Sequence, residues 1–399
     1  MNPLLNRLQP YPFERLRQLT KHITPPAALA PISLGLGEPR HAPPALVKDA
    51  LTSSLAGLSS YPATAGEPRL REAMAGWLQR RYGTAVDPAT QILPVNGSRE
   101  ALFSLAQTVI DPTRAGATVV CPNPFYQIYE GAALLAGADV AFANSDPARN
   151  FAPDWSQIDE ATWSRTQLVY VCSPGNPTGA VMPLDEWRTL FELSDRHGFV
   201  IASDECYSEI YFRDEPPLGG LQAAKALGRD DYRRLVTLTS LSKRSSVPGM
   251  RSGFVAGDAQ VMKQFLLYRT YHGGAMSPVV QAASVAAWSD EAHVVANRDL
   301  YRAKFAQVEP LLASVLDVKL PDASFYLWAG VPAAFEGDDV AFAQGLLAQY
   351  NVSVLPGSLL ARTAHGINPG AGRVRLALVA EVAECLEAAQ RIVSYVKSL

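Results

Sequence analysis

Cysteine is scarce in this 399-residue sequence: there are four, Cys121, Cys172, Cys206 and Cys385, and none stands in a C-x-x-C pair. Thiols so few and so scattered suit neither a disulfide framework nor a zinc site, so they read as reduced residues. No run approaches the ~20 apolar residues that a membrane-spanning helix needs. The opening Met1-Asn-Pro-Leu-Leu-Asn-Arg-Leu-Gln-Pro10 also lacks the apolar core of a secretory leader. The expected compartment is therefore the cytoplasm. Nor is there an excess of charge. The 35 Lys and Arg against 38 Asp and Glu leave a formal −3, too weak a field to attract nucleic acid or an anionic membrane. Any anion has to be held by a local arrangement. Internal repeats, low-complexity tracts and heptad series are absent as well.

The composition, 48% hydrophobic and 18% charged, suits a large buried core, and the length favours two domains. Five runs read as strands: Ile92–Val95, Ala117–Cys121, Gln167–Cys172, Phe199–Asp204 and Arg234–Thr239. Helical spacing marks Leu70–Tyr82, where Leu70, Met74, Trp77 and Leu78 recur on one face, and Leu184–His197. This alternation between about 90 and 290 predicts a doubly wound α/β domain with a mostly parallel sheet. After it come a long helix, Glu291–Leu316, and strands at Val318–Leu320 and Ser324–Trp328. A helix from Asp338 to Tyr350, strands at Val352–Leu355 and Arg373–Leu378, and a terminal helix from about Val382 to Val396 complete a smaller α+β domain. The expected division is an arm at 1–40 that joins the smaller domain, a large domain at 41–290 and the smaller domain at 291–399.

Open α/β sheets bind ligands outside the carboxyl ends of their strands, and the chemistry-bearing residues stand there. Lys243, in Ser240-Leu-Ser-Lys-Arg-Ser-Ser-Val-Pro-Gly-Met-Arg251, follows a strand into what reads as a loop. A lysine can form a Schiff base with an aldehyde when burial and cationic neighbours, here Arg244 and Arg251, lower its pKa. Asn96-Gly97-Ser98-Arg99 turns a strand into a helix N-terminus, a seat for an anion. Phe125 and Tyr126 offer a wall for a flat ring, and the turn-forming Ser173-Pro-Gly-Asn-Pro-Thr-Gly179 fixes Asn176. Asp204 ends a strand, with Tyr207 three residues on. Gly35 and Gly37 would let a carboxylate approach the backbone.

Taken together and in this order, these motifs, with Arg375 near the C-terminus, resemble the fold-type I aminotransferases that use pyridoxal 5′-phosphate. The resemblance spans nearly the whole chain. It implies that Lys243 is the Schiff-base lysine and proton shuttle, and that Asp204 pairs with the pyridine nitrogen. It also implies that Tyr207 and Asn176 donate to the ring hydroxyl oxygen and that Tyr126 stacks on the ring. Gly97, Ser98, Arg99, Ser240, Ser242 and Arg251 would hold the phosphate. Arg375 would clamp the substrate carboxylate opposite Gly37, and Tyr61 would reach the phosphate of a neighbouring subunit, which implies a homodimer with shared active sites. The substrates implied are amino acids and 2-oxo acids.

Asn2–Leu16 and Gly37-Glu-Pro-Arg-His-Ala-Pro-Pro44 look most like N-succinyl-diaminopimelate aminotransferases of lysine biosynthesis. On that likeness Arg40, assisted by His41, is expected to read the distal carboxylates. The same scaffold also serves broader aspartate, aromatic or alanine aminotransferases, lyases and non-enzymatic regulators. A regulator would carry a DNA-binding domain, and no basic helix-turn-helix pattern precedes residue 30.

Overall fold

The computed structural model describes residues 1–399. Thirteen strands occur along the chain. They are β1 (Ile32–Ser33), β2 (Ile92–Val95), β3 (Thr118–Asn123), β4 (Asp139–Asp146), β5 (Ala152–Pro153), β6 (Thr166–Cys172), β7 (Val200–Asp204), β8 (Leu235–Ser240), β9 (Gly253–Gly257), β10 (Tyr326–Gly330), β11 (Val352–Ser353), β12 (Leu355–Pro356) and β13 (Arg373–Ala377). Eight of them form one sheet in the order β2-β9-β8-β7-β6-β3-β4-β5. The pairs β8/β7, β7/β6, β6/β3 and β3/β4 are parallel, while β9 runs against both of its neighbours and β5 against β4. Strands β2, β3, β6 and β8 are buried along nearly their whole length, as expected of a sheet covered on both faces by helices.

One core of 34 buried residues lies on one side of this sheet, centred on Trp77, Trp187 and Trp288. A second, of 23, lies around Leu102, Tyr129 and Tyr170. The C-terminal part has its own core of 30 residues, which takes in Ile32 and Leu34 from the N-terminal arm. That arm is tied in by β1, which pairs in parallel with β11. In the three-stranded antiparallel sheet β10-β13-β12, Arg375 sits on the central strand, opposite Trp328 and Leu355.

Local structure departs from expectation in a few places. Lys243 lies in a one-turn helix, Leu241–Arg244, rather than in a loop. Val318–Leu320 forms no strand: its residues are largely exposed, Pro321 follows, and only Asp317 makes an isolated bridge, to Gly330. The long helix is Ala292–Ala313, shorter at both ends. The run 352–355 splits between β11 and β12, which pair with different strands.

Glu205, next to Asp204, is buried and accepts hydrogen bonds from Gly220 N–H (2.7 Å), Ser203 Oγ (2.9 Å) and Tyr82 Oη (3.4 Å). Burial pushes its carboxyl up to about 7 against these bonds. The folded chain thus holds this proton more tightly than the unfolded one. The resulting stabilisation is complete in acid and is lost as pH rises from about 4.5 to about 7. Glu205→Gln is expected to flatten that decline in thermal melts taken across this range. An unchanged pH slope would assign the decline to other groups.

Candidate active site

Because β2, β3, β6, β7 and β8 point the same way, their carboxyl ends form one edge, and β9 starts from that edge. The turns there carry Gly97–Arg99, Tyr126, Asn176, Asp204, Tyr207 and Lys243, with Arg251 just before β9. They meet Gly37 and Arg375 around a cavity of about 450 Å³. Residues spread over more than 330 positions of sequence thus share one wall. A smaller cavity of about 300 Å³ shares Cys172 and Asn176 with it but holds none of the other candidates.

Asp204 is only 5% exposed. Its Oδ2 accepts from Tyr129 Oη at 2.8 Å and its Oδ1 from Cys206 N–H at 3.3 Å. Burial raises its carboxyl above the ordinary range, opposed by these bonds and by the Lys243 ammonium. Lys243 thus favours its charged form against burial. Lys243 Nζ lies 5.7 Å from the centre of the Tyr207 ring, and Tyr207 Oη is 3.1 Å from Tyr326 Oη.

The helix Ser98–Val109 begins at Gly97, whose φ of 84° favours glycine, and no side chain caps it. A Cβ on Gly97 would come within 2.2 Å of Arg251 Nη2, so the missing side chain is what lets the guanidinium lie over the helix start. The Arg251 guanidinium hydrogen-bonds only to the carbonyls of Pro248 (3.0 Å) and Asn96 (3.4 Å). Free N–H groups, a helix dipole and an arginine without a carboxylate partner converge there, which is what a phosphate requires.

Arg375, 4% exposed, donates from Nη1 to Asn176 Oδ1 (2.9 Å) and from Nη2 to Gly35 O (2.8 Å), over the Tyr326 ring at 4.2 Å. Its Nε is buried and has no partner. Across from it, a Cβ on Gly37 would fall 2.0 Å from Tyr326 Oη. The donor set fits pyridoxal phosphate: an anion seat, an aromatic wall, a buried carboxylate and a lysine on one cavity.

Between the two aromatic candidates, Tyr126 lines the cavity and accepts from Arg99 Nε at 2.6 Å. Phe125 instead packs on Phe142 in the core. Ser242 is on the wall, whereas Ser240 stands behind Cys206, 3.6 Å from its sulfur. Tyr61 is fully exposed and does not line this cavity.

Three expectations need correction. Arg40 is not on the cavity wall; it pairs with Glu384 at 3.1 Å, both side chains being partly exposed. His41 is buried between Asn297 and Lys304, where no substrate reaches it. Arg244 is turned away from Lys243, against Trp288, and donates to Glu291 and the Ala287 carbonyl. Residues missed in the sequence are Tyr129, Cys206, Tyr326 and Glu38. Only Tyr129 had a local signal, standing one helical turn after Tyr126.

The family of class I and II aminotransferases matches residues 30–392. The chain is 31% identical to an LL-diaminopimelate aminotransferase of Dehalococcoides mccartyi over 94% of this chain and 93% of that protein. It is 30% identical to a putative aminotransferase, AatC, of Rhizobium meliloti, over 99% and 95%. Its fold is similar to that of an aminotransferase from Neisseria meningitidis, with a TM-score of 0.96, 57% identity and 99% of both chains covered. With this match over most of its length, the chain belongs to the class I and II aminotransferases, pyridoxal phosphate enzymes of fold type I.

Proposed function

We propose that this aminotransferase exchanges amino groups between N-succinyl-LL-2,6-diaminopimelate and 2-oxoglutarate in lysine biosynthesis, as a cytoplasmic homodimer with shared active sites. What carries the amino-transfer chemistry is the meeting of Lys243, Asp204 and Arg375 on one cavity. When bound, the cofactor supplies an aldehyde that joins an amine and a ring that takes up the electrons of a carbanion. Arg375 would hold the substrate carboxylate and so orient its α-carbon toward Lys243, whose amine takes and returns the α-proton. Asp204 would keep the ring nitrogen protonated, and Tyr207 and Asn176 would steady the ring oxygen. Tyr61, exposed beside Leu55 and Leu58, suits a partner subunit rather than its own cavity.

The resemblance at Asn2–Leu16 and Gly37–Pro44 supports the succinylated substrate. With Arg40 paired elsewhere, the distal carboxylates are assigned to the Arg99 side chain, an exposed guanidinium on the cavity wall, while its backbone N–H at the helix start stays with the phosphate seat. A second reading, the free LL-diaminopimelate, draws on the name of the D. mccartyi relative and on Glu38, whose carboxylate on the same wall suits a distal ammonium.

Borohydride treatment of the yellow, cofactor-loaded protein is expected to fix the label on the peptide containing Lys243. A label on another lysine would overturn the assignment.

Asp204→Asn is expected to keep the cofactor but lose turnover by about 10²–10³-fold, because an amide accepts a hydrogen bond without supplying charge. Near-normal turnover would remove the electrostatic role of Asp204.

Assays of kcat/KM on succinylated diaminopimelate, free diaminopimelate and alanine would separate the two readings. Arg99→Gln is expected to cost roughly tenfold, about 1.4 kcal/mol, on the succinylated substrate alone. A preference for the free diamine, lost in Glu38→Gln, would favour the second reading. Equal rates on all three would point to a generalist.

A further inference from the structure

Resting on the aminotransferase reading, we propose that one polar face of the helix Ala292–Ala313 positions Lys243 and the substrate-carboxylate seat by hydrogen bonds to the Lys243 backbone and to the segments that follow Arg375 and Gly37, with Asn297 and His41 as the positioning residues. His293, Asn297 and Lys304 are spaced four and seven residues apart, so they fall on one stripe of the helix. Two of them bond to the segment 243–245 and the third to the segment after Arg375. His293 Nε2 lies 2.8 Å from Ser245 Oγ. Asn297 Nδ2 donates to Lys243 O at 3.1 Å and to Arg244 O at 3.4 Å. Lys304 Nζ donates to Leu378 O at 3.0 Å, three residues beyond Arg375. His41, four residues beyond Gly37, bridges the last two: its Nδ1 is 2.9 Å from Asn297 Oδ1 and its Nε2 3.1 Å from Lys304 Nζ. The His41 carbonyl accepts from Ser246 Oγ at 2.8 Å.

The direction of these bonds is determined. Lys243 O can only accept, so the Asn297 amide donates there and its Oδ1 faces His41. His41 must then carry its proton on Nδ1 and accept on Nε2, from the only group present that donates without accepting, the Lys304 ammonium. Desolvation lowers the Lys304 and His41 pKa values, and the neutral imidazole that the chain of bonds requires agrees with that. Lys304 is 1% exposed and ion-pairs with no carboxylate, the Glu381 charge acting on it and on His41 only at longer range. A buried ammonium of this kind costs stability that an apolar residue would not. What it secures is geometry, since the chain runs from the segment after Arg375, through the segment after Gly37, to the carbonyl of Lys243 itself. The same bonds satisfy carbonyls at the end of a one-turn helix too short to satisfy its own.

The test uses full-length, cofactor-loaded protein and three readouts: the pH at which its visible absorption band shifts, kcat and KM for the amino donor, and the thermal midpoint. Asn297→Ala is expected to move the band's pH midpoint and lower kcat by about 10–100-fold, with KM changing less, because small misplacements of a reacting group cost that much. A lower thermal midpoint with band and kcat unchanged would overturn the positioning role and leave a structural one. Two further variants decide the matter even where Asn297→Ala does not fold. His41→Gln carries both a donor and an acceptor and is expected to stay close to wild type, whereas His41→Leu, similar in bulk, is expected to behave like Asn297→Ala. Identical behaviour of the two His41 variants in band midpoint and kcat, or in failing to fold, would overturn the proposal. A wild-type protein that stays colourless with pyridoxal phosphate would sink the aminotransferase reading as well; a coloured wild type with unaltered variants would sink only the positioning role.

Discussion

A buried guanidinium needs partners, and Arg375, though its Nε has none, finds them in three separate parts of the chain. It bonds to Asn176 from the large sheet's loops and to the Gly35 carbonyl from the N-terminal arm, and it rests on Tyr326 from the neighbouring strand. Breaking one such bond would leave a charge out of water without compensation, which is far more costly than the bond itself. The two sheets and the arm are therefore held at the distance this side chain sets.

The large sheet contributes a different constraint. Parallel strands that share one direction must end at one edge, so side chains placed at strand ends converge whatever their separation in sequence. Only β9 and β5 run the other way, and Arg251 stands just before β9, where that strand leaves the edge. The anion seat at Gly97 and the guanidinium over it thus come from neighbouring strands of opposite sense.

Legibility followed from whether a residue's role is settled by its near neighbours. Asp204, Asn176 and Lys243 could be picked out because each stands at a strand end or in a turn whose chemistry is local. Most of the α/β alternation was readable for the same reason. Arg40 was misread because its partner, Glu384, lies 344 residues away, and nothing beside Gly37 announces a partly exposed ion pair. His41 looked like a ligand-binding residue only because the buried Asn297 and Lys304 that claim it come from a distant helix. Val318–Leu320 has a strand's alternation but no strand beside it, and a ladder needs both. Tyr326 is set by its register against β13, which no single stretch of sequence contains.

The fit of Arg251 over Gly97 also couples two positions that are 154 residues apart. The guanidinium occupies the space a side chain at 97 would take, so neither position can vary freely alone. A residue larger than glycine at 97 must displace the arginine, and without it a helix start remains but the larger share of the anion seat's charge is gone. In any lineage that keeps this pocket the two sites should change together or not at all. The glycine is thus as much a part of the anion's recognition as the arginine that touches it.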